Sequence, residues 1–158
     1  MIDIDGYRAN VGIIIINDEK KVLWAKRLNE DAWQFPQGGI NDNESAEEAM
    51  YRELKEEVGL NRNHIFILAR TKGWLRYDVP KNWIRNNSQQ KYKGQKQVWF
   101  LLKFIGNDAD IFLKNTSKPE FDGWEWVNFW TPIDEVVDFK KDVYTKALKQ
   151  LSVFLDIK

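Results

Sequence analysis

The stretch GGINDNESAEEAMYRELKEEVGL, residues 38–60, decides the fold of the chain and carries its most informative chemistry. It predicts a helix over residues 45–58, because Ser45 and Glu48 have the spacing of a capping box. Gly59 follows the last predicted turn, at a position where glycine commonly ends a helix. Four apolar residues at helical spacing indicate that one face of the helix packs against a core: Ala46, Ala49, Met50 and Leu54.

Three glutamates lie close together near the end of this predicted helix. At about 100° per residue, Glu53 and Glu57 continue the apolar face, Glu56 lies at its edge and Lys55 points to solvent. Spacings of three and four residues bring the carboxylates within about one turn, where their charges repel and partial burial raises the cost. A hard divalent cation relieves both problems, and Mg²⁺ binds carboxylates together with phosphates and water. Arg52 can pair with Glu56 or hold a neighbouring carboxylate.

These observations favour a metal site over the alternative, a solvated helix face crossed by salt bridges. Charge is also divided along the chain. Residues 41–57 carry a net charge of −5, whereas residues 70–103 contain nine basic side chains and one acid, for a net charge of +8. We interpret this as an acidic pole facing a basic one.

The stretch resembles the Nudix box, G-x5-E-x7-R-E-U-x-E-E-x-G-U with U aliphatic. The matching residues are Gly38, Glu44, Arg52, Glu53, Leu54, Glu56, Glu57, Gly59 and Leu60. The resemblance implies one Nudix hydrolase domain over residues 1–158, with the box at 38–60. The fold class it implies is α/β, an α/β/α sandwich with a mixed central sheet. The implied activity is hydrolysis of phosphoanhydride bonds in nucleoside diphosphates linked to another group.

Motifs outside the box resemble the bacterial RNA pyrophosphohydrolases, which are also described as dinucleoside polyphosphate hydrolases. They include GYR at 6–8, WQFPQGGI at 33–40, WLRY at 74–77, GQKQ at 94–97, PEFDGW at 119–124 and VVDFK at 136–140. The chain departs from this family at Ala9, Ala32 and Asp78. The last two departures lie near expected substrate contacts and concern fine specificity.

The resemblance also implies a metal site and a catalytic group. Mg²⁺, with Mn²⁺ as a substitute, would be held by Glu53, Glu56 and Glu57, with Glu120 and Gly38 added to the site. The alternative for Glu120 is a simple turn residue beside a proline. Either Glu53 or Glu57 would accept the proton of the attacking water, and Arg52 joins the catalytic set.

Six further residues are candidates for substrate binding. Arg8, Arg27 and Lys140 would contact phosphates or nucleotide, since cationic side chains dominate affinity for a polyphosphate or RNA. Tyr77, Val137 and Phe139 occupy positions for a surface on which an unstacked base can lie. The alternative for Val137 and Phe139 is ordinary core between two helices.

Three functions follow from this pattern. The first is an RNA 5′-pyrophosphohydrolase that removes pyrophosphate from 5′-triphosphorylated RNA, leaves a 5′-monophosphate and promotes mRNA decay. The second is hydrolysis of dinucleoside polyphosphates such as diadenosine tetraphosphate. The third, from a different class, is an inactive Nudix-like module that only binds RNA or nucleotide. The complete set of box glutamates argues against it.

Composition narrows the chemistry independently. The chain has 158 residues, no cysteine and one histidine, His64. This excludes disulfides, thiolate zinc sites, iron–sulfur clusters and cysteine nucleophiles. No stretch reads as a signal peptide, and the longest aliphatic run, residues 13–16, is too short to span a bilayer. We expect a cytoplasmic monomer with neither DNA nor a membrane as a partner.

The remaining strands, helices and loops are predicted from residue type and from glycine and proline residues that interrupt regular structure. Apolar and aromatic runs predict strands at residues 11–16, 22–25, 33–35, 65–72, 74–79, 98–105 and 124–130. Gly38-Gly39 is predicted to form an unusual turn, and residues 81–94 a mobile loop. Thr131 and Pro132 predict a helix start leading into residues 133–137. A C-terminal helix is predicted from Val143, Ala147, Leu151 and Phe154.

Overall fold

A mixed β-sheet forms the centre of the molecule. The computed structural model describes residues 2–81 and 92–157. Within them lie eight strands: β1 (Tyr7–Ile16), β2 (Lys21–Arg27), β3 (Trp33–Gln34), β4 (Gln37–Gly39), β5 (Ile65–Arg70), β6 (Leu75–Asp78), β7 (Gly94–Phe104) and β8 (Phe121–Asn128). The order is β3-β2-β1-β7-β5, with β4 paired to β1, β6 to β7 and β8 to β2. β1 and β7 run parallel along ten residue pairs, and the other pairs are antiparallel.

The central strands are buried on both faces, which explains their nearly continuous apolar sequence. On one face, Ile13 and Phe100 pack with residues of α1 (Ala46–Val58). On the other face, Trp99 packs with residues of α3 (Lys141–Ser152), which follows the short helix α2 (Thr131–Glu135). Helices therefore cover both faces of a mixed sheet, and the predicted α/β/α sandwich is confirmed.

The helix predicted from the box stretch forms as its local signals indicate. The Ser45 side chain accepts a hydrogen bond from the backbone N–H of Glu48, and the Glu48 side chain accepts one from the backbone N–H of Ser45. Gly59 ends the helix in the left-handed conformation, with φ of 73°. Glu53 and Glu57 are buried on the inner side, whereas Lys55 and Glu56 are exposed.

The turn predicted at Gly38-Gly39 is wrong. Both glycines belong to β4, which pairs antiparallel with β1 through Val11↔Gly38 and Asn10↔Gly39. Glycine at these positions permits the close approach of other side chains. A Cβ on Gly38 would overlap the carboxyl group of Glu53, and one on Gly39 would overlap the guanidinium of Arg8.

The smaller differences between the prediction and the structure concern the ends of helices and loops. Thr131 is the first residue of α2 instead of its cap, and the helix ends at Glu135 because Val136 turns to an extended backbone. Phe154 lies beyond the end of α3 and is 59% exposed, so it does not continue the apolar face. Of the predicted mobile loop, residues 82–91 lie outside the described residues, and β7 already begins at Gly94. In the described part of the chain, no helix has both the length and the apolar character needed to cross a membrane.

Candidate active site

A polar cleft opens where β1 and β2 separate. These strands share one paired position, Ile16↔Val22, and β4 lies against β1 nearer the start of that strand. The cleft has a volume of about 360 Å³. It brings together eight of the residues predicted from sequence: Arg8, Arg27, Gly38, Glu53, Glu56, Glu57, Glu120 and Lys140.

The acidic side of the cleft is built from α1 and from the residue before β8. Glu53 and Glu57 are 7% and 8% exposed, while the side chain of Glu56 is 48% exposed. Glu120 comes from a different part of the chain, immediately before β8, and its carbonyl accepts a hydrogen bond from the backbone N–H of Leu28. The fold thus joins three carboxylates of one helix with a fourth that is distant in sequence.

Arg52 lies behind the cleft and fixes the orientation of its acids. Its Nη1 donates to Glu53 Oε1 at 2.7 Å and lies 3.6 Å from Glu56 Oε2. Its Nε and Nη2 donate to the two carboxylate oxygens of Glu44 at 2.8 Å each, and Nη2 also donates to the carbonyl of Gly39 at 2.7 Å. A bidentate pair of this kind is geometrically specific as well as strong. Arg52 therefore connects α1 to β4 and holds Glu53 against Gly38.

The Glu44–Arg52 pair gives a prediction about stability. The Arg52 hydrogen bond lowers the pKa of Glu44 from 4.5 to about 2. The ionised carboxylate therefore stabilises the fold above the unfolded-state pKa, and this contribution is lost as the pH falls from about 4.5 towards about 2. Glu44→Gln should lower the free energy of unfolding at pH 7 by about 2 kcal/mol, with a difference from wild type that shrinks over this acidic interval.

Chemical denaturation of both proteins at several pH values measures this effect. Glu47→Gln is the matched control, because Glu47 is an exposed acid in the first turn of the same helix. If Glu44→Gln loses as much free energy of unfolding at about pH 2.5 as at about pH 7, the ionic origin of the effect is contradicted.

Glu57 is the most perturbed acid of the cleft. Burial, followed by the nearby charges of Glu120 and Glu53, raises the pKa of Glu57 from 4.5 to about 9. Burial also raises the pKa of Glu53, against the opposing effect of Arg52. One carboxyl oxygen of Glu57, Oε2, is buried and has no hydrogen-bond partner among the described residues. A buried oxygen left in this way is costly unless a ligand satisfies it.

The donor set fits a hard divalent cation. Several carboxylate oxygens face one polar cleft, one of them without a partner, and Mg²⁺ prefers oxygen ligands of this kind. Within residues 2–81 and 92–157, however, no three acidic or histidine side chains stand in the arrangement of a preformed metal site. Arg52 already holds Glu53 Oε1 by a hydrogen bond at 2.7 Å.

The basic side of the cleft faces these acids. Arg27 donates to Glu30 at 2.8 Å and to Gln34 Oε1 at 3.2 Å. Lys140 is 7% exposed, and its Nζ lies 3.2 Å from Gln37 Oε1 and 3.5 Å from Gln34 Oε1. Burial, together with the charge of Arg27, lowers the pKa of Lys140 from 10.5 to about 8. Lys140 is therefore held by neutral amides, which leaves its charge available to an anion, whereas Arg27 is also paired with Glu30.

An apolar hollow of about 260 Å³ adjoins the cleft. Val137, Phe139 and Ala32 line it, and Arg27, Gln34 and Lys140 line both the hollow and the cleft. Val137 and Phe139 are half-buried: they line the hollow and also pack against the core cluster that contains residues of α3.

Tyr77 lies elsewhere. It is 7% exposed, packs 5.9 Å from Phe139 between ring centroids and is bonded through its hydroxyl to Gln37 at 3.1 Å. Contrary to the prediction, Tyr77 does not line the cleft or the hollow, because its ring lies behind the site in the core. Asp78 lines neither cavity, and it accepts a hydrogen bond from the Tyr7 hydroxyl at 2.6 Å.

Amide side chains of the cleft were not singled out by sequence reasoning. Gln34 and Gln37 hold Lys140, and Asn10 and Gln95 line the wall beside Arg8. Gln95 is 6% exposed and its Oε1 has no hydrogen-bond partner among the described residues. All but Asn10 fall within the motifs WQFPQGGI and GQKQ. The signal that could have identified these amides is a polar residue within an otherwise buried strand.

Comparison with known proteins identifies the family. A family model described as NUDIX domain matches residues 6–150, and the chain belongs to this family. Proteins of the family generally use divalent metal ions, and membership supports an activity on phosphoanhydride bonds.

Several solved structures share the fold. The dihydroneopterin triphosphate pyrophosphohydrolase of E. coli aligns with a TM-score of 0.73 at 20% identity, over 93% of this chain and 97% of that one. An Ap4A hydrolase of C. elegans, in a binary complex, gives 0.68 at 20% identity over 94% and 98%. The MutT protein of Methanosarcina mazei Go1 gives 0.60 at 18% identity over 95% and 98%. At these identities the similarity establishes the fold.

Proposed function

We propose that this protein is an RNA 5′-pyrophosphohydrolase, which removes pyrophosphate from 5′-triphosphorylated RNA and leaves a 5′-monophosphate. The observation that carries the proposal is the arrangement of the cleft. Carboxylates of α1 and Glu120 face Arg8, Arg27 and Lys140 across a cleft with a volume of about 360 Å³. An apolar hollow adjoins the basic side of this cleft. A triphosphate with a nucleotide behind it matches this order of acid, base and apolar surface.

The acids are assigned to metal binding. Glu53, Glu56, Glu57 and Glu120 would hold Mg²⁺, and Gly38, which lies against the carboxyl group of Glu53, is within the same cleft. When bound, the ion neutralises phosphate charge and makes an attacking water more acidic. Mn²⁺ is expected to substitute. Arg52 keeps Glu53 in place through its bond at 2.7 Å and is assigned a positioning role.

The proton of the attacking water goes to a carboxylate of the cleft. Glu57 is the better candidate of the two glutamates left open by the sequence, because its Oε2 has no partner among the described residues, whereas Arg52 holds Glu53.

The substrate would be held at two places. Arg8, Arg27 and Lys140 would bind the phosphates, and the neutral amides around Lys140 leave its charge free for them. A base would enter the hollow between Val137 and Phe139, beside Arg27. An unstacked base at a single-stranded 5′ end can occupy such a surface.

The test of the proposal is identification of the products. Purified protein is incubated with Mg²⁺ and 5′-triphosphorylated RNA, and the released phosphate species and the new 5′ end are analysed. Release of pyrophosphate with a 5′-monophosphate end supports the proposal. Intact RNA, or release of inorganic phosphate alone, contradicts it.

Hydrolysis of dinucleoside polyphosphates is the second candidate. The same cleft can hold a polyphosphate, and a C. elegans Ap4A hydrolase shares the fold. An RNA substrate differs in having further phosphates behind the first nucleotide, which the cations of residues 70–103 can attract. An inactive binding module is disfavoured by the complete set Glu53, Glu56 and Glu57.

Salt dependence separates the first two candidates. Lowering the ionic strength should strengthen the binding of RNA more than the binding of diadenosine tetraphosphate, because RNA displaces more counterions from more phosphates. Dissociation constants at several salt concentrations, measured in the presence of Ca²⁺ to limit turnover, check this. Equal slopes for the two ligands would count against RNA as the substrate.

A further inference from the structure

A second hollow lies on the opposite side of β1 from the catalytic cleft. Its volume is about 290 Å³; Ala9, Ile40 and Val98 form part of its lining, and Arg70, Trp74 and Lys96 also border it. We call it the Trp74 hollow. Arg8 and Gly39 line the cleft, whereas the next residue in each case lines the Trp74 hollow. Successive side chains of extended backbone point to opposite faces, so the two cavities lie back to back.

The surroundings of the Trp74 hollow are positively charged. Arg70, Lys72, Arg76 and Lys93 are exposed, and within the described residues none of the four forms an ion pair. Three of the neighbouring acids are already engaged: Asp3 pairs with Lys96, Asp78 bonds Tyr7 and Glu44 bonds Arg52. Four cations that are unpaired within the described residues therefore lie near the hollow, against the exposed Asp42 between the lining residues Asn41 and Asn43.

Trp74 gives this surface a large flat ring. Its exposed fraction is 36%, and Lys96 Nζ lies 4.7 Å from the ring centroid. An exposed tryptophan beside cations is the combination with which proteins bind single-stranded nucleic acid, since a base stacks on the ring and phosphates meet the charges. The size of the hollow and its apolar lining suit one base.

Aromatic and cationic side chains continue from the cleft to this hollow around the end of the sheet. Arg8, at the cleft, lies 5.8 Å from the centroid of Tyr92. On the other face, Lys93 Nζ lies 4.8 Å and Arg76 Cζ 5.6 Å from the centroid of Tyr7. The consecutive residues Tyr92 and Lys93 thus connect the two faces.

We propose that the Trp74 hollow binds a nucleotide of the substrate RNA downstream of its 5′ end, with the base on Trp74 and the phosphates near Arg70 and its neighbouring cations. This rests on the proposed function, because it takes the substrate to be a single-stranded RNA longer than the catalytic cleft can hold. The role of the surface is to favour long single strands over short substrates.

A binding experiment tests the hollow without using the catalytic reaction. The probe is a labelled single-stranded RNA of about twelve nucleotides with a 5′-hydroxyl, which offers no triphosphate to the cleft, and fluorescence anisotropy gives its affinity. Trp74→Ala should weaken binding roughly tenfold, and Trp74→Phe should restore part of the loss. Arg70→Ala should weaken binding and reduce the slope of log K against log salt by about 0.7.

Phe66→Ala is the matched control, because Phe66 is an aromatic residue of β5 that is 61% exposed and does not line the hollow. Its affinity should equal that of wild type. Wild-type affinity in Trp74→Ala, or an equal loss in Phe66→Ala, would overturn the proposal.

Hydrolysis assays separate this proposal from the proposed function. Trp74→Ala should lower kcat/KM for a long 5′-triphosphorylated RNA and leave the value for a triphosphorylated dinucleotide unchanged. An equal fall for both substrates would overturn the role of the hollow. If wild type hydrolyses neither RNA but binding of the 5′-hydroxyl probe still depends on Trp74, the proposed function fails and the nucleotide site remains.

Discussion

Glu57→Gln should reduce hydrolysis of triphosphorylated RNA by about 10³-fold while the protein remains folded. Glutamine keeps the size of the side chain but cannot accept the proton of an attacking water, and it is a weaker ligand for a hard cation. Steady-state kinetics with saturating Mg²⁺ measures the loss. The control is Glu47→Gln, an exposed glutamate on the same helix, which should keep wild-type kinetics.

For the same variant we also predict the effect on the stability of the fold in metal-free buffer. Glu57 is buried near other acids, and burial raises its pKa from 4.5 to about 9. The unfolded chain therefore gives up this proton more readily than the folded one, so the contribution of Glu57 to stability falls as the pH rises from about 4.5 towards about 9. Glu57→Gln lacks this penalty. At about pH 8, which lies within that interval, its midpoint of unfolding should therefore be no lower than that of wild type.

Retention of most of the activity by Glu57→Gln would contradict the assignment of the cleft. Loss of activity together with a lower midpoint of unfolding would indicate a structural defect and would contradict the proton-acceptor role.

Gly38→Ala should lower kcat/KM by about 10²-fold, because a displacement of about 1 Å in a catalytic group has an effect of this order. A Cβ at this position would overlap the carboxyl group of Glu53, which Arg52 holds in place from the other side. The backbone of Gly38 does not have a positive φ, so alanine fits the strand itself and the effect arises from the contact. Overpacking of this kind should also destabilise the fold by about 1–3 kcal/mol.

Gly123→Ala is the matched control. Gly123 also lies in a strand, β8, and a Cβ there would come no closer than 3.7 Å to Lys26, an ordinary contact. It should retain wild-type kinetics. Equal kinetics for Gly38→Ala and Gly123→Ala would show that the approach of Glu53 to Gly38 has no part in catalysis.

The sequence predicted those features that depend on local pattern. The start and end of α1, the burial of Glu53 and Glu57 and the exposure of Lys55 all follow from capping residues and helical periodicity. The apolar runs predicted most of the strands for the same reason.

The sequence failed where the outcome depends on contacts between distant residues. The pair Gly38-Gly39 carries the residue type of a turn, but the side chains of Glu53 and Arg8 occupy the space that a Cβ would need. Tyr77 lies between the charged residues Arg76 and Asp78 and is nevertheless buried, because α3 and Phe139 cover it. Neither fact is visible without the tertiary structure.

The distribution of charge along the sequence predicted the charged surfaces only approximately. It predicted an acidic pole facing a basic one at residues 70–103, but the cations Arg8, Arg27 and Lys140 of the cleft lie outside that segment, whereas Arg70 and Lys96 border the Trp74 hollow on the other side of β1. Alternation of side chains along β1 and β7 makes that division, and it depends on the register of the strands.

The central claim is that the cleft acts on the 5′ end of RNA. The most direct test compares kcat/KM for a 5′-triphosphorylated single-stranded RNA and for diadenosine tetraphosphate, with the same enzyme in one Mg²⁺ buffer. We predict a clear preference for the RNA, since it engages both the phosphate-binding cations and the cationic surface beyond them. A large preference for the dinucleotide would contradict the claim.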